Sequence, residues 1–286
     1  MSGKNQDETR RAGVIGWPVS HSLSPLIHST WAAREGANAL YEAIAVEPDD
    51  RSFRRRIDEL RAAGLAGVNV TIPHKERALR YAATASDEAR AIGAANMLTF
   101  GDEGAHADNS DARGFEAALR VELGQSSGRT MALVLGAGGA ARAILWSLRH
   151  RLHFPEIIIA NRTRARAEGI AEIGLAGVKD WEARNDAIRA ADIVVNATSL
   201  GMMGEPPLDV DFSALKPGAI VCDIVYSPLK TPLLRAARAR GLATIDGLEM
   251  LMRQAAPGYL AWLGTKAEID ADLRLRLEAA LKARGE

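Results

Sequence analysis

The stretch Leu133-Val134-Leu135-Gly136-Ala137-Gly138-Gly139-Ala140-Ala141 joins an apolar run to a glycine-rich turn, and the helical pattern Arg142-Ala143-Ile144-Leu145 follows. It fits the spacing G-x-G-x-x-[G/A] between a strand and a helix. Glycines here allow a tight turn and a close approach of the backbone to a pyrophosphate, and the positive end of the helix stabilises the anion. The stretch therefore predicts a dinucleotide site at Gly136, Ala137, Gly138, Gly139 and Ala140.

The next apolar run, Ile157-Ile158-Ile159-Ala160, ends where an NAD site usually presents a carboxylate to the ribose 2′-hydroxyl. This chain has none there and continues Asn161-Arg162-Thr163-Arg164-Ala165-Arg166. Guanidinium groups and a hydroxyl suit a 2′-phosphate better than a carboxylate does. The segment favours NADP over NAD, and Arg164 is the arginine that best fits an ordinary solvated first turn.

Strand-like apolar runs alternate with amphipathic stretches along the chain, which is typical of an α/β fold with a mostly parallel sheet. In a first layer we expect strands at 13–15, 41–46, 67–71 and 96–100, and helices at 25–35, 49–63 and 74–83. In a second, nucleotide-binding layer we expect strands at 131–135, 156–160, 192–196 and 219–225, and helices at 139–149 and 163–173. A helix at 110–123 is a candidate hinge between the layers.

The C-terminal tail has two apolar stripes at helical spacing. Leu248, Leu251 and Met252 form one, and the other consists of Ile269, Leu273, Leu277 and Leu281. Helices with such stripes need a partner surface.

The composition excludes several classes of protein. In 286 residues, 47% are hydrophobic and 25% charged, as in an ordinary globular chain, and 36 basic residues balance 36 acidic ones, so no nucleic-acid footprint is expected. The lone Cys222 and the absence of a long apolar run predict a soluble cytoplasmic protein that binds no membrane. The six histidines have no zinc-like spacing, so no metal site is expected. The oligomeric state, monomer or homodimer, is not readable.

Three polar groups lie where strands of the first layer end. Ser24 is placed to cap a helix whose first position is Pro25, and Ser22 and Ser24 together would cradle a carboxylate. In Asn69-Val70-Thr71-Ile72-Pro73-His74-Lys75-Glu76, alternation puts Asn69 and Thr71 on one face, Pro73 begins a helix, and Lys75 lies in its first turn. Asn96 and the run Asn109-Ser110-Asp111 form the third group. Taken singly, these residues are ordinary cap and turn residues.

These motifs in this order resemble the shikimate dehydrogenase family over nearly the whole chain. The resemblance rests on Ser22-Leu23-Ser24-Pro25, Asn69-Val70-Thr71-Ile72-Pro73-His74-Lys75-Glu76, Gly93-Ala94-Ala95-Asn96, Asn109-Ser110-Asp111, Gly136 to Ala140, Asn161-Arg162-Thr163, Asn196-Ala197-Thr198-Ser199-Leu200-Gly201-Met202, Asp223-Ile224-Val225-Tyr226 and Gln254-Ala255-Ala256. It implies NADP-dependent reduction of 3-dehydroshikimate to shikimate in aromatic amino-acid biosynthesis.

The resemblance also implies residue roles and domain bounds. Lys75 and Asp111 would be the catalytic acid–base pair. The substrate would be held by Ser22, Ser24, Thr71, Asn96, Tyr226 and Gln254. The cofactor would be held by the glycine turn together with Asn161, Arg162, Thr163, Arg166, Thr198 and Gly247. A discontinuous substrate domain, 1–110 with 246–286, would face an NADP-binding domain, 111–245, across a cleft.

Two departures from the family's pattern bear on the pocket. Ala112 stands where a glycine is usual, which limits backbone freedom at the hinge, and Arg253 adds a cation next to Gln254.

Other functions stay open. A paralogue could use quinate or aminoshikimate, or NAD as readily as NADP. A non-catalytic NADP sensor would be expected to lack Lys75 or Asp111. A cysteine-dependent aldehyde or acyl enzyme needs a reactive thiol near the cleft, for which Cys222, in an apolar strand, is a poor candidate.

Overall fold

The computed structural model describes residues 9–123, 128–263 and 265–285. The chain divides into two compact units, Met1–Ser110 with Gln254–Leu277 and Asp111–Arg253 with Glu278–Glu286. Each unit is built on one six-stranded sheet with helices, so the predicted α/β class is confirmed. The division falls inside a helix, at 253/254, whereas the predicted domain bounds place everything from 246 onward with the first layer; those bounds stay a prediction.

The first unit contains six strands and most of the terminal helices. Its strands are β1 (Arg10–Gly16), β2 (Ala39–Ala45), β3 (Gly67–Val70), β4 (Thr84–Ala85), β5 (Met97–Gly101) and β6 (Gly104–Asp108). Its helices are α1 (Ser24–Glu35), α2 (Asp50–Ala62), α3 (Lys75–Tyr81) and α4 (Asp87–Ile92).

The second unit starts with helix α5 (Asp111–Leu123). Its strands are β7 (Met131–Leu135), β8 (Glu156–Ala160), β9 (Gly177–Lys179), β10 (Ile193–Asn196), β11 (Ile220–Asp223) and β12 (Ala243–Ile245). Its further helices are α6 (Gly139–Trp146), α7 (Arg164–Ala171), α8 (Arg184–Ala190) and α9 (Pro232–Ala239). Helices α10 (Gly247–Leu263) and α11 (Ala271–Ala283) follow, and the division between the units runs through both.

The first sheet is mixed. Its order is β2-β1-β3-β5-β6-β4, with β1, β2 and β3 parallel and β5 antiparallel to both β3 and β6. A turn at 101–104 joins β5 and β6, and Gly101 pairs with Gly104 across it. Buried side chains including Ile15, Val68 and Leu98 form its core.

The second sheet is parallel throughout, in the order β12-β11-β10-β7-β8-β9. Strands β7 and β10 contain no exposed residue, and apolar side chains on both faces pack against helices, as expected of a doubly covered parallel sheet. Reversal of the chain order on either side of β7 marks the strand edge at which such folds bind dinucleotides.

The tail segment attaches to α1 within the first unit. The indole N–H of Trp31 donates to the carbonyl of Glu268 at 2.7 Å, and Arg34 pairs with Asp270 at 3.1 Å and with Asp272 at 2.7 Å. Leu273, Leu277 and Leu281 of the predicted stripe are buried on α11, while Ile269 precedes the helix. None of the described helices is long and apolar enough to cross a membrane.

Candidate active site

The polar groups of the first unit gather at one edge of its sheet. The parallel strands β1 and β3 end there, antiparallel β5 begins there, and β6 returns to it, because Met97 pairs with both Asn69 and Asp108. Ser22, Thr71 and Asn96 lie on the loops that leave or enter these strand ends, Ser24 is the first residue of the helix that follows β1, and Gln254 lies on α10.

Ser22 and Ser24 lie where the chain passes from the loop after β1 into α1. The prediction that Ser24 caps the helix is wrong, because Ser24 is already its first residue and Pro25 its second. The Ser22 hydroxyl oxygen instead accepts the Ser24 N–H at 3.2 Å. Within the described residues no acceptor lies against either hydroxyl hydrogen, so both can donate to an anion.

Thr71 and Lys75 follow β3. The prediction that Pro73 begins a helix is wrong, since a turn closed by the His74 N–H and the Thr71 carbonyl, 2.9 Å apart, comes first. Lys75 is the first residue of α3, as expected for its first turn, and is half-buried. Its carbonyl accepts the Ala95 N–H at 2.9 Å, which places it beside the segment that carries Asn96.

Asn96 belongs to a buried hydrogen-bond network that sequence patterns did not indicate. Its amide oxygen accepts the Ser110 N–H at 2.7 Å, and its amide nitrogen donates to the side-chain oxygen of Gln254 at 3.1 Å. The Ser110 hydroxyl donates to the Gln254 carbonyl at 2.7 Å. The structure thus brings two predicted substrate residues, Asn96 and Gln254, into contact, and adds Ser110 between them.

Asp111 and Tyr226 belong to the second unit. Asp111 is the first residue of α5 and is 4% exposed, and Tyr226 lies half-buried in the loop after β11. Their assignment to the substrate site stays a prediction.

Two histidines near these loops are structural. His74 is fully buried, and its ring Nε2 lies 2.8 Å from the Val46 carbonyl. Burial lowers the pKa of His74, and the bond to Val46 offsets part of that effect. His28 stacks on Tyr41 with ring centroids 3.8 Å apart, and neither ring nitrogen has a partner in the described part of the chain. Burial lowers the pKa of His28 to about 3, so it is a neutral core side chain.

The glycine turn of the second unit lies between β7 and α6, as predicted. Gly136 has a φ of 108°, and a Cβ there would lie 2.8 Å from the carbonyl of Ala197 and 2.9 Å from the Thr198 methyl group. Only glycine allows this turn to pack against the loop after β10. Gly138 and Ala140 lie at the start of α6 with no acidic residue in its first turn, so its N–H groups can face a pyrophosphate.

Gly247 follows β12, at the same edge of the second sheet as the glycine turn but on the other side of β10. A Cβ there would lie 2.2 Å from the Ile224 carbonyl oxygen, so the start of α10 packs directly on the backbone that follows β11. A side chain at 247 would force that loop to shift.

The three arginines after β8 differ in their surroundings. Arg164 is held by Glu168 at 2.8 Å and Asp180 at 2.6 Å, and their hydrogen bonds raise its pKa. Arg162 and Arg166 are exposed and form no ion pair with any described residue. The amide of Asn161 donates to the Thr163 carbonyl at 2.9 Å and fixes the turn. Two unpaired guanidinium groups beside a helix start fit a 2′-phosphate.

Comparison with known proteins assigns the chain to a family. Residues 14–98 match the model of the shikimate dehydrogenase substrate-binding domain, and residues 119–202 match that of shikimate/quinate 5-dehydrogenase. A shikimate dehydrogenase (NADP(+)) of Rhodospirillum rubrum is 46% identical over 275 residues, which cover 93% of this chain and 96% of the relative. The chain belongs to the shikimate dehydrogenase family.

Solved structures of this family agree with the fold. Shikimate 5-dehydrogenase of Thermus thermophilus, in complex with NADP(H) and shikimate, has a TM-score of 0.82 at 34% identity, covering 96% of this chain and 99% of that one. Quinate dehydrogenase of Corynebacterium glutamicum, in complex with NAD, has a TM-score of 0.85 at 27% identity, covering 95% and 99%. The shared fold therefore accommodates more than one substrate and cofactor.

The two departures from the shikimate dehydrogenase pattern have local explanations. Ala112 is fully buried within the first turn of α5, a regular helical position that does not need glycine. Arg253 donates from Nε to Glu249 at 2.9 Å, one helical turn earlier, so its charge is paired. Arg253 therefore adds no unpaired cation next to Gln254.

Proposed function

We propose that this chain catalyses the reversible, NADP-dependent reduction of 3-dehydroshikimate to shikimate, with Lys75 and Asp111 as its acid–base pair. One observation carries the proposal. In a chain 46% identical to a named shikimate dehydrogenase, three hydroxyls and a half-buried lysine line a single sheet edge. We assign the substrate to 1–110 with 246–286 and the cofactor to 111–245.

Substrate recognition falls to hydroxyl and amide groups. Ser22, Ser24 and Thr71 have no side-chain acceptor among the described residues, so their hydroxyl hydrogens can turn to a ligand. The two serines lie at the start of α1, where the helix dipole favours a carboxylate. Gln254 and Asn96, which orient each other, would contact the ring hydroxyls, with Tyr226 closing the pocket.

Lys75 would transfer the proton in this reaction. When bound, NADPH supplies a hydride to the ketone carbon, and negative charge then develops on the ketone oxygen. Lys75 would donate the proton to that oxygen and accept it in the reverse direction. Asp111 would hold the lysine and an adjacent hydroxyl of the substrate in place.

The residues that would hold the cofactor fit its parts. The pyrophosphate would lie on the turn from Gly136 to Ala140, and the 2′-phosphate on Arg162 and Arg166, with Asn161 and Thr163 beside the ribose. Thr198 and Gly247 lie toward the other end of the strand edge, where the nicotinamide half would extend.

The acid–base assignment is tested by Lys75→Met, which keeps the length of the side chain and removes its proton. We expect kcat to fall by a factor of about 10² to 10⁴, the usual contribution of a general acid, with a much smaller change in the Kd for shikimate. Turnover is followed through the absorbance of the reduced nicotinamide, and Kd by calorimetry.

Arg80→Met is the matched control, since Arg80 is an exposed cation on the same helix whose carboxylate partner, Asp50, lies 3.7 Å away. It should retain wild-type kcat. Retention of wild-type kcat by Lys75→Met would exclude Lys75 as the acid and leave the family assignment intact.

A further inference from the structure

The second unit contains a buried carboxylate that the proposed mechanism does not use. Asp223 is the last residue of β11 and is 2% exposed. No charged side chain of the described residues forms an ion pair with it. An ionised group in such a place is costly unless hydrogen bonds hold it.

Three donors point at this carboxylate. Its Oδ1 accepts the side-chain amide of Asn196 at 2.9 Å and the Val225 N–H at 3.0 Å. Its Oδ2 accepts the Thr231 hydroxyl at 2.7 Å, and the Thr231 oxygen in turn accepts the Leu234 N–H at 3.2 Å. Asp223 is therefore a pure acceptor that joins the end of β10, the loop after β11 and the start of α9.

Asn196 extends this network to the loop after β10. Its amide oxygen accepts both the N–H of Thr198, at 3.1 Å, and the hydroxyl of Thr198, at 2.7 Å. Its amide nitrogen also donates to the Leu200 carbonyl at 3.0 Å. One side chain thus lies between Asp223 and the turn that packs on Gly136.

The loop after β11 is tied to the same region by backbone contacts. The Met203 N–H donates to the Ser227 carbonyl at 2.8 Å, and Gly247 packs against the backbone of Ile224 and Val225. The loops 197–203 and 224–228 are therefore one assembly, with Asp223 beneath both.

The order of strands indicates which half of a dinucleotide this assembly would contact. The pyrophosphate-binding turn follows β7, and the adenosine-side residues from Asn161 follow β8 on one side of it. Strands β10 and β11 lie on the other side, so the nicotinamide half must extend over their loops.

We propose that Asp223 is a positioning residue for the nicotinamide half of the cofactor, which it fixes through Asn196, Thr198 and the loop 224–228 without touching the cofactor itself. The inference rests on the proposed function and adds to it a residue that acts at one half of the dinucleotide only.

The electrostatics agree with a positioning role. Burial raises the pKa of Asp223 to about 6, against the lowering effect of the bonds from Thr231, Val225 and Asn196. The fold keeps a carboxylate where a neutral side chain would be less costly, and such groups concentrate at functional sites.

The test compares two ligands on the Asp223→Asn protein. An asparagine is the same size but turns an NH₂ group toward the Thr231 hydroxyl, which must then reverse. The Kd for NADPH, which contains both halves, should rise about tenfold, while that for 2′,5′-ADP, which lacks the nicotinamide half, should stay within twofold. Calorimetric titration of both ligands gives the two values.

If Asp223 served folding alone, Asp223→Asn would lower the melting temperature and would change the affinities for NADPH and 2′,5′-ADP equally or not at all. That result would overturn the proposal. If the wild type binds neither ligand, the proposed function fails as well. If it binds both and Asp223→Asn binds both equally well, only this inference fails.

A second pair of variants covers the case in which Asp223→Asn does not fold. Thr231→Val removes the donor to Oδ2 and should give the same selective loss of NADPH affinity, but a smaller one. Thr231→Ser keeps the hydroxyl and should restore the wild-type affinity for NADPH. Equal losses for NADPH and 2′,5′-ADP in Thr231→Val would contradict the proposal.

Discussion

The surroundings of Arg162, Arg164 and Arg166 differ, and Arg164 is the one that the sequence already assigned to an ordinary solvated first turn. Arg164 is bound to the carboxylates of Glu168 and Asp180, while the other two guanidinium groups form no ion pair with any residue that the structure describes. The site that we propose for the 2′-phosphate therefore uses two of the three arginines.

Single substitutions of Arg162 and Arg166 to alanine test this division. Each should lower kcat/KM for NADP⁺ by about 10- to 100-fold, since a hydrogen bond to a charged group contributes about 1.5–3 kcal/mol, and should leave kcat/KM for NAD⁺ nearly unchanged. Arg164→Ala is the matched control and should change neither value by more than about twofold, because its guanidinium already has two partners. If kcat/KM for NADP⁺ fell in Arg164→Ala and in neither other variant, the 2′-phosphate would not bind at Arg162 and Arg166.

At this scale the sequence predicts residue types better than partners. The glycine turn and the basic run after β8 are recognisable because their chemistry depends on the residue type and spacing. Ser110 is not, because its role depends on a bond to Gln254, 144 residues away. The start of α1 was also predicted wrongly, because its N-cap is Leu23, with no side-chain cap bond, whereas the residue type favours Ser24 at that position.

Among the elements, the long apolar strands of the second sheet were the easiest to predict. Strands β7 and β8 match their expected bounds, 131–135 and 156–160, because both are buried runs bounded by clear turns. Strands β4, β9 and β12 were missed, since two or three residues are too short to show a period. Helix α9 was missed although Thr231 and Pro232 form an ordinary helix start.

The ends of β7 and β10 opposite the proposed cofactor edge are joined by one carboxylate, and this predicts a pH dependence. Asp192 accepts the N–H groups of Thr130 at 2.8 Å and Met131 at 3.0 Å, and Lys216 lies 3.0 Å from it. Burial raises its pKa, but these hydrogen bonds and the lysine outweigh that effect and lower it from 3.8 to about 2. The stabilisation is therefore present above about pH 3.8 and is lost as the pH falls through about 2.

Asp192→Asn should lower the free energy of unfolding above that range by about 1 kcal/mol, less than the full pKa shift implies because solvent reaches the carboxylate. The difference from wild type should vanish toward pH 2 in urea unfolding series followed by circular dichroism. Asp209→Asn, at a fully exposed carboxylate, is the control and should show no such trend. A difference that stays constant with pH would refute the role of the ionised group.

For the molecule as a whole, the sequence predicted two α/β layers and their family, because several separate motifs occur in one order. It did not predict the division of α10 between the two units, since a helix pattern is continuous across such a point. The first sheet is mostly parallel, as expected, and among its described strands β5 alone runs against its neighbours, β3 and β6. The hairpin of β5 and β6 was not predicted, since its second strand, Gly104–Asp108, lacks a strong apolar signal.

The choice between shikimate and quinate depends on a small chemical difference between the two substrates. The fold is shared with a quinate dehydrogenase at a TM-score of 0.85. Quinate carries a hydroxyl on the carbon that bears the carboxylate, where shikimate has a ring double bond instead. A single hydroxyl discriminates strongly only where a polar partner is built for it. Ser22 and Ser24 would be the nearest such groups.

The turnover of purified protein with shikimate or quinate, each with NADP⁺ or NAD⁺, followed through the absorbance of the reduced nicotinamide, tests the proposed substrate and cofactor together. We expect kcat/KM for shikimate with NADP⁺ to exceed that of each other combination by at least about tenfold, since one lost polar or charged contact costs about 1.4 kcal/mol or more. Equal or higher kcat/KM with quinate or with NAD⁺, or no turnover in any combination by a protein that binds NADP⁺, would contradict the proposed function.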